Sequence, residues 1–224
     1  MEFDLGALAK AQRYKILSSC VTPRPIAWVT SRSADGILNA APYSFFNVLG
    51  DDPPIIVLGI LAHAEGRMKD SAANILATRE FVVNLVSAGQ AQAMNATSID
   101  APPDVDELAL VGLETEPGVQ VSVPRIKGAP ASLECTLHQA ITTGAHQVAV
   151  IAKVVHAYVA DRFMQDRDRL YIDTPAMRLL GRVHGVGWYS LQTDLLQMSR
   201  PHWKDQQTAS TTAAPDPQST NYPT

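Results

Sequence analysis

The sequence predicts a mainly β protein built as an antiparallel barrel. Three observations predict it. Apolar, β-branched runs are short and divided by turn residues, as in antiparallel sheets. Helical stretches are few and do not alternate regularly with strands, which disfavours βαβ units and a parallel sheet. No Gly-x-Gly-x-x-Gly opens a helix after a strand and no P-loop is present; Gly181, Gly185 and Gly187 have the wrong spacing and precede Trp188-Tyr189.

Taken in order, Leu5 to Leu17 has helical spacing, with Leu8, Tyr14 and Leu17 on one stripe expected to be buried over one end of the core. Pro23 and Pro25 force an extended lead into a first strand at Ile26 to Ser31. Arg32 to Gly36, with its Asp-Gly step, reads as a hairpin turn. After it come small, hydroxyl and amide side chains beside aromatics, Asn39 to Asn47, where Pro42 is expected to prevent regular pairing. Such a segment lets backbone N–H groups approach a flat, polar-edged ligand, so Thr22 to Asn47 reads as the floor of a cofactor site. Asp51 to Pro54 is a turn and Ile55 to Ile60 a strand. Ala72 to Thr78 is a short helix with Asp70 or Ser71 as its N-cap. Phe81 to Val86 is a strand, and Ala88 to Asn95 a helical run. Ala131, Leu133, Cys135 and Leu137 alternate with Ser132, Glu134, Thr136 and His138, the pattern of a half-buried strand. Thr143-Gly144 is a turn, Gln147 to Val159 a long strand, and Asp161 to Arg169 a charged loop. One domain is expected over residues 1–203, with a Ser/Thr/Gln/Pro-rich tail, 204–224, expected to be disordered.

A formal net charge of −4 without Lys/Arg blocks argues against nucleic-acid binding. Cys20 and Cys135, the only cysteines, imply no disulfide framework, and Cys135 reads as a buried small hydrophobe. The start lacks a basic region followed by an apolar run, and no apolar stretch is long enough to span a bilayer. No membrane association and a cytoplasmic location are therefore expected. Asp104, Asp106 and Glu107 lack a glycine turn and regular ligand spacing, so they read as a solvated helix start; no metal site is expected.

Several of these stretches, in this order, resemble the flavin reductase-like, FMN-binding split-barrel family that includes flavoredoxin. They are Pro23 to Thr30, Asn39 to Asn47, Asp52-Pro53-Pro54, Lys69-Asp70-Ser71, Phe81 to Leu85, Met94 to Ser98, and Gly181-Arg182 before Trp188-Tyr189. The likeness covers about Leu5 to Pro201. It implies a six-stranded Greek-key split barrel with flanking helices, a homodimer, and one FMN in each of two sites near the subunit interface. Where many relatives read Lys-Asp-Thr this chain has Ser71, which keeps the hydroxyl.

FMN needs an anion site and an apolar slot with a polar edge. Lys69, Ser71 and the backbone at the helix start suit the phosphate, with Arg67 as a second cation; Asp70, which would repel a phosphate, is assigned to capping. The bland alternative is a capped surface helix with solvated cations. Val29, Thr30 and Ser31, together with Ala41 to Asn47, form the expected ring edge. Ser44 is the candidate donor near N5 and O4. Phe45 and Phe46 either stack on the ring or fill the core, and because adjacent strand residues face opposite ways, core filling suits one of the two. Asn47 closes the set. Among six histidines, His184 either is satisfied within its own glycine-rich loop or closes over the flavin or nicotinamide beside Arg182. His63 is a weaker candidate. The expected activity is an FMN-dependent oxidoreductase with NAD(P)H as hydride donor and no conventional catalytic side chain. The alternatives are a flavoredoxin-like carrier that trades electrons with a protein partner and has no nicotinamide site, and a structural dimer that has lost the cofactor.

Overall fold

The computed structural model describes residues 1–63 and 65–203. The compact unit is Met1–Thr193. Asp194–Thr224 is a separate unit, without a strand among its described residues, and the expected tail 204–224 lies outside the described residues. The elements run α1 (Lys10–Cys20), β1 (Arg24–Pro25), β2 (Ala27–Arg32), β3 (Leu38–Tyr43), β4 (Phe46–Asp51), β5 (Pro54–Leu61), α2 (Asp70–Thr78) and β6 (Glu80–Asn84). Then follow α3 (Ala91–Ala96), α4 (Glu107–Val111), β7 (Thr115–Glu116), β8 (Arg125–Ile126), β9 (Ala131–Gly144) and β10 (Gln147–Val159). The remainder is β11 (Met164–Asp166), β12 (Tyr171–Ile172), α5 (Thr174–Met177), β13 (Leu180–Arg182) and β14 (Tyr189–Leu191). No helix of the described residues is long and apolar enough to cross a membrane.

The expected mainly β, antiparallel split barrel with flanking helices is observed. Where six strands are expected, its main sheet has seven, in the order β3-β2-β6-β9-β10-β5-β4, every ladder antiparallel. Near-continuous burial of β2 follows from its place inside that sheet, covered on both faces. Ala27 and Val29 enter the barrel core with Phe46, Ile56, Leu58, Ile75, Phe81 and Val150. Ile26 and Trp28 face a second core with Met94, Leu108, Ile126 and Leu180, and the Trp28 Nε1–H donates to Thr97 Oγ1 at 2.9 Å.

Three local expectations are corrected. Pro42 does not interrupt pairing: it stands opposite Trp28 within β3. An edge strand tolerates proline because the missing N–H can face away from the sheet. The leading helix begins at Lys10, so Leu8 precedes it, and Tyr14 and Leu17 are exposed rather than forming a buried stripe. Only Ser18 of that helix is buried. The polar half of the β9 alternation is not all solvated. Ser132 donates to Asn84 Oδ1 at 2.9 Å, and Glu134 accepts the backbone N–H groups of Val119, Gln120 and Val121. The loop preceding β8 covers this half of the strand, and burial is satisfied by hydrogen bonds.

Candidate functional site

The segment after the hairpin, the start of α2 and the exposed face of α1 meet at one place. There a cavity of ≈ 180 Å³ is lined by Tyr14, Pro42, Tyr43, Ser44, Phe45, Gly59, Leu61 and Lys69. Phe45, in the bend before β4, and Phe46, the first residue of β4, part. Phe46 is in the barrel core, whereas Phe45 packs on Tyr14 with ring centroids 6.0 Å apart. Gly59 permits this wall, because a Cβ there would stand 3.1 Å from Phe45 Cβ. Tyr14, Phe45 and Leu61 supply apolar walls; Ser44 and Lys69 supply the polar groups.

Lys69 also lines a polar pocket of ≈ 90 Å³ with Asn39, Ala41, His63, Asp100 and Glu107. Its ammonium is paired with the Asp100 carboxylate, and this hydrogen bond chiefly holds that carboxyl below the usual carboxylate range. His63 is buried with Nδ1 3.4 Å from Asp100 Oδ1, and its Nε2 has no partner among the described residues. Burial pushes the Tyr43 hydroxyl up to about 12, so it stays a neutral donor at ordinary pH. Burial likewise raises the Glu107 carboxyl, which accepts the Ala40 N–H at 3.1 Å. Glu107 is therefore not part of a solvated helix start; Asp106 alone caps that helix, accepting from Ala109 N at 3.0 Å. Among the described residues, no group of three or more His, Cys, Asp or Glu is placed to hold a metal ion.

The residues expected at the phosphate end divide. The helix starts at Asp70, one position before Ser71, so Lys69 is the N-cap residue of α2, and its ammonium, a donor without an acceptor, makes no side-chain cap. Asp70 is accordingly not the cap: its carboxylate accepts from Arg67 Nη1 at 2.8 Å while lying at the positive end of the helix. Ser71 is turned inward at 1% exposure, its Oγ accepting from Asn39 Nδ2 at 2.8 Å. Of the residues expected at the ring edge, Val29, Thr30 and Ser31 are fully buried and line neither the cleft nor the polar pocket. Thr30 Oγ1 donates to Pro124 O at 2.7 Å, and Ser31 Oγ accepts from Asn74 Nδ2 at 3.2 Å. The β2 backbone is flanked by β3 and β6, so its amides serve the ladder. Ser44, Phe45 and Lys69 share the cleft; Ala41 lies in the adjoining polar pocket, and Asn47 is exposed outside both, accepting its neighbour Val48's N–H.

His184 is exposed and stacked on Trp188 at the tip of the β13–β14 hairpin, 6.4 Å between centroids. It lines a ≈ 660 Å³ groove against α1, and that groove shares Tyr14 with the Ser44 cleft. Arg182 donates to the Gly185 and Trp188 carbonyls of its own loop.

Three residues escaped the sequence reading: Arg24, Tyr14 as a wall, and Asp100. An arginine between two prolines signals only extended chain, Tyr14 carries the same apolar signal as a core residue, and Asp100 meets Lys69 across 31 positions. Ser44 and Lys69 beside the apolar Tyr14, Phe45 and Leu61 walls fit a ligand with a polar edge, an aromatic body and an anionic end.

The sequence profile described as flavin reductase like domain matches residues 18–177. A protein of Deinococcus radiodurans is 37% identical over 211 residues, 91% of this chain and 92% of its own. In structure, 2-nitrobenzoate 2-nitroreductase of Pseudomonas fluorescens is similar with a TM-score of 0.82 and 31% identity, over 91% of this chain and 98% of that one. Component B of nitrilotriacetate monooxygenase from Bacillus cereus is similar with a TM-score of 0.83 and 29% identity, over 88% and 98%.

Proposed function

Since the chain belongs to the flavin reductase like domain family, we propose that it is an FMN-dependent oxidoreductase using NAD(P)H as electron donor. Bound FMN would supply the redox chemistry, accepting at N5 a hydride from nicotinamide C4 and passing electrons onward. The observation that carries this reading is one cleft combining the Tyr14, Phe45 and Leu61 walls with the Ser44 hydroxyl and the Lys69 ammonium. Two similar solved proteins are named for redox reactions, a nitroreductase and a monooxygenase component, which supports the same class.

The protein's share is binding and orientation. Lys69 would hold the phosphate, Ser44 would donate to the N5/O4 edge, and Phe45 with Tyr14 would exclude water from the ring. A hydride step asks no side chain to take or give a proton, so no residue is assigned as acid or base. His184, which lines the neighbouring groove, and Arg182, which braces the same loop, are assigned to the nicotinamide side. A homodimer is part of the proposal. It is supported by β4, one of the two edge strands of the sheet, which exposes Val48 at 63% and Leu49 at 62%; apolar residues on an exposed edge are otherwise an aggregation hazard.

The test is anaerobic mixing of the FMN-loaded protein with NADH or NADPH. Bleaching of the flavin band is expected. Tight FMN binding without bleaching by either nucleotide would defeat the reductase assignment and leave an electron carrier served by a protein donor.

A further inference from the structure

Ser44 has a buried partner. Arg24, 5% exposed, makes hydrogen bonds from all three of its guanidinium nitrogens. Its Nε–H donates to Ser44 Oγ at 3.3 Å, Nη1 to the carbonyls of Ser18 and, at 2.6 Å, Val21, and Nη2 to Val183 O at 2.9 Å. Cζ lies 5.9 Å from the centroid of the Phe45 ring. Among the described residues, no carboxylate pairs with it. A buried, unneutralised cation is costly to keep. Here it joins the end of α1, β1, the loop after β13 and Ser44 at one point.

The consequence lies in the serine. A hydroxyl has one O–H and two acceptor lone pairs. With Arg24 filling one lone pair, the oxygen is held and polarised and its proton turns away from the guanidinium, which leaves it available to a ligand in the cleft that Ser44 lines. We propose that Arg24 is a positioning residue that fixes the Ser44 hydroxyl as a hydrogen-bond donor to the electron-accepting edge of the bound flavin. The inference rests on the FMN placement above.

Two measurements test it. The first is the two-electron reduction potential of bound FMN in the parent, Ser44→Ala, Arg24→Lys and the double variant. Arg24→Lys keeps the charge but loses the Nε–H donor. A tenfold bias toward oxidised flavin, about 30 mV, is expected for each single variant, and less than a further twofold when Arg24→Lys is added to Ser44→Ala. If Ser44→Ala changes neither FMN affinity nor potential, the ring placement itself fails. If Ser44→Ala shifts the potential but Arg24→Lys does not, or shifts it equally without Ser44, Arg24 is purely structural and the inference is overturned. The second measurement needs neither flavin nor a change at the buried arginine. The Arg24 Nε–H resonance of the flavin-free protein should exchange slowly, and both its shift and its exchange rate should change in Ser44→Ala; an unchanged signal would also overturn the proposal.

Discussion

At the scale of single residues, buried polar groups decide more than apolar ones. Asn84 is fully buried and uses both ends of its amide. Nδ2 donates to Trp28 O at 3.0 Å and to Thr30 Oγ1 at 3.3 Å, while Oδ1 accepts from Ile126 N and Ser132 Oγ at 2.9 Å each. Asn84→Ala strands these partners together, so a loss on the order of 3 kcal/mol is expected, read by urea denaturation. Glu107 behaves oppositely. Burial raises its carboxyl above the ordinary range, with the Ala40 N–H pulling partly back. A raised folded value means that its favourable contribution is complete below the unfolded carboxylate pKa and is lost as pH rises through the folded one. Glu107→Gln keeps an acceptor for Ala40 and removes the buried charge. The variant should be the more stable chain at pH 7, and the advantage should vanish as pH falls below the carboxylate range. An advantage unchanged by pH in paired melting curves would contradict this.

At the scale of elements, the start of α2 carries the argument for the anionic end of the ligand. Lys69 is its free-standing cation, but in the structure Asp100 neutralises it. Lys69→Ala should weaken FMN about tenfold, or about 1.4 kcal/mol, and leave riboflavin, which has no phosphate, unaffected. Asp100→Asn should strengthen FMN severalfold, again without changing riboflavin. Titration of both ligands into the three proteins by fluorescence quenching separates these outcomes, and equal effects on the two ligands would place the phosphate elsewhere. The β13–β14 hairpin shows how closely elements are fitted here. A Cβ at Gly181 would lie 2.8 Å from both Pro23 Cβ and Ser190 Oγ, so β1, β13 and β14 can meet only around a glycine.

At the scale of the whole molecule, one antiparallel sheet makes the barrel, and its outer edge strand remains apolar. Covering Val48 and Leu49 with a second copy would give the proposed dimer its driving force. Leu49→Asp should convert the dimer to monomer at micromolar concentration in sedimentation equilibrium. A parent chain that is monomeric throughout that range would remove this part of the proposal.

Much was legible without coordinates because it is local. The Asp35-Gly36 turn, the β-branched run of β10 and the alternation along β9 are written in neighbours along the chain, and hydrophobic period and turn chemistry act at that range. Ordered motifs likewise gave the family and its flavin. What only the tertiary structure decided was the partner of each polar group. Ser71 and Ser31 face inward to Asn39 and Asn74, Asp70 pairs with Arg67, and Arg24 reaches Val183 across 159 positions. Those choices depend on which loops cover which strands, and a hydrogen bond between distant segments leaves no periodicity in the sequence. The residue types for a ligand were therefore visible in the chain, whereas their division between lining the cleft and bracing it from below was fixed by packing.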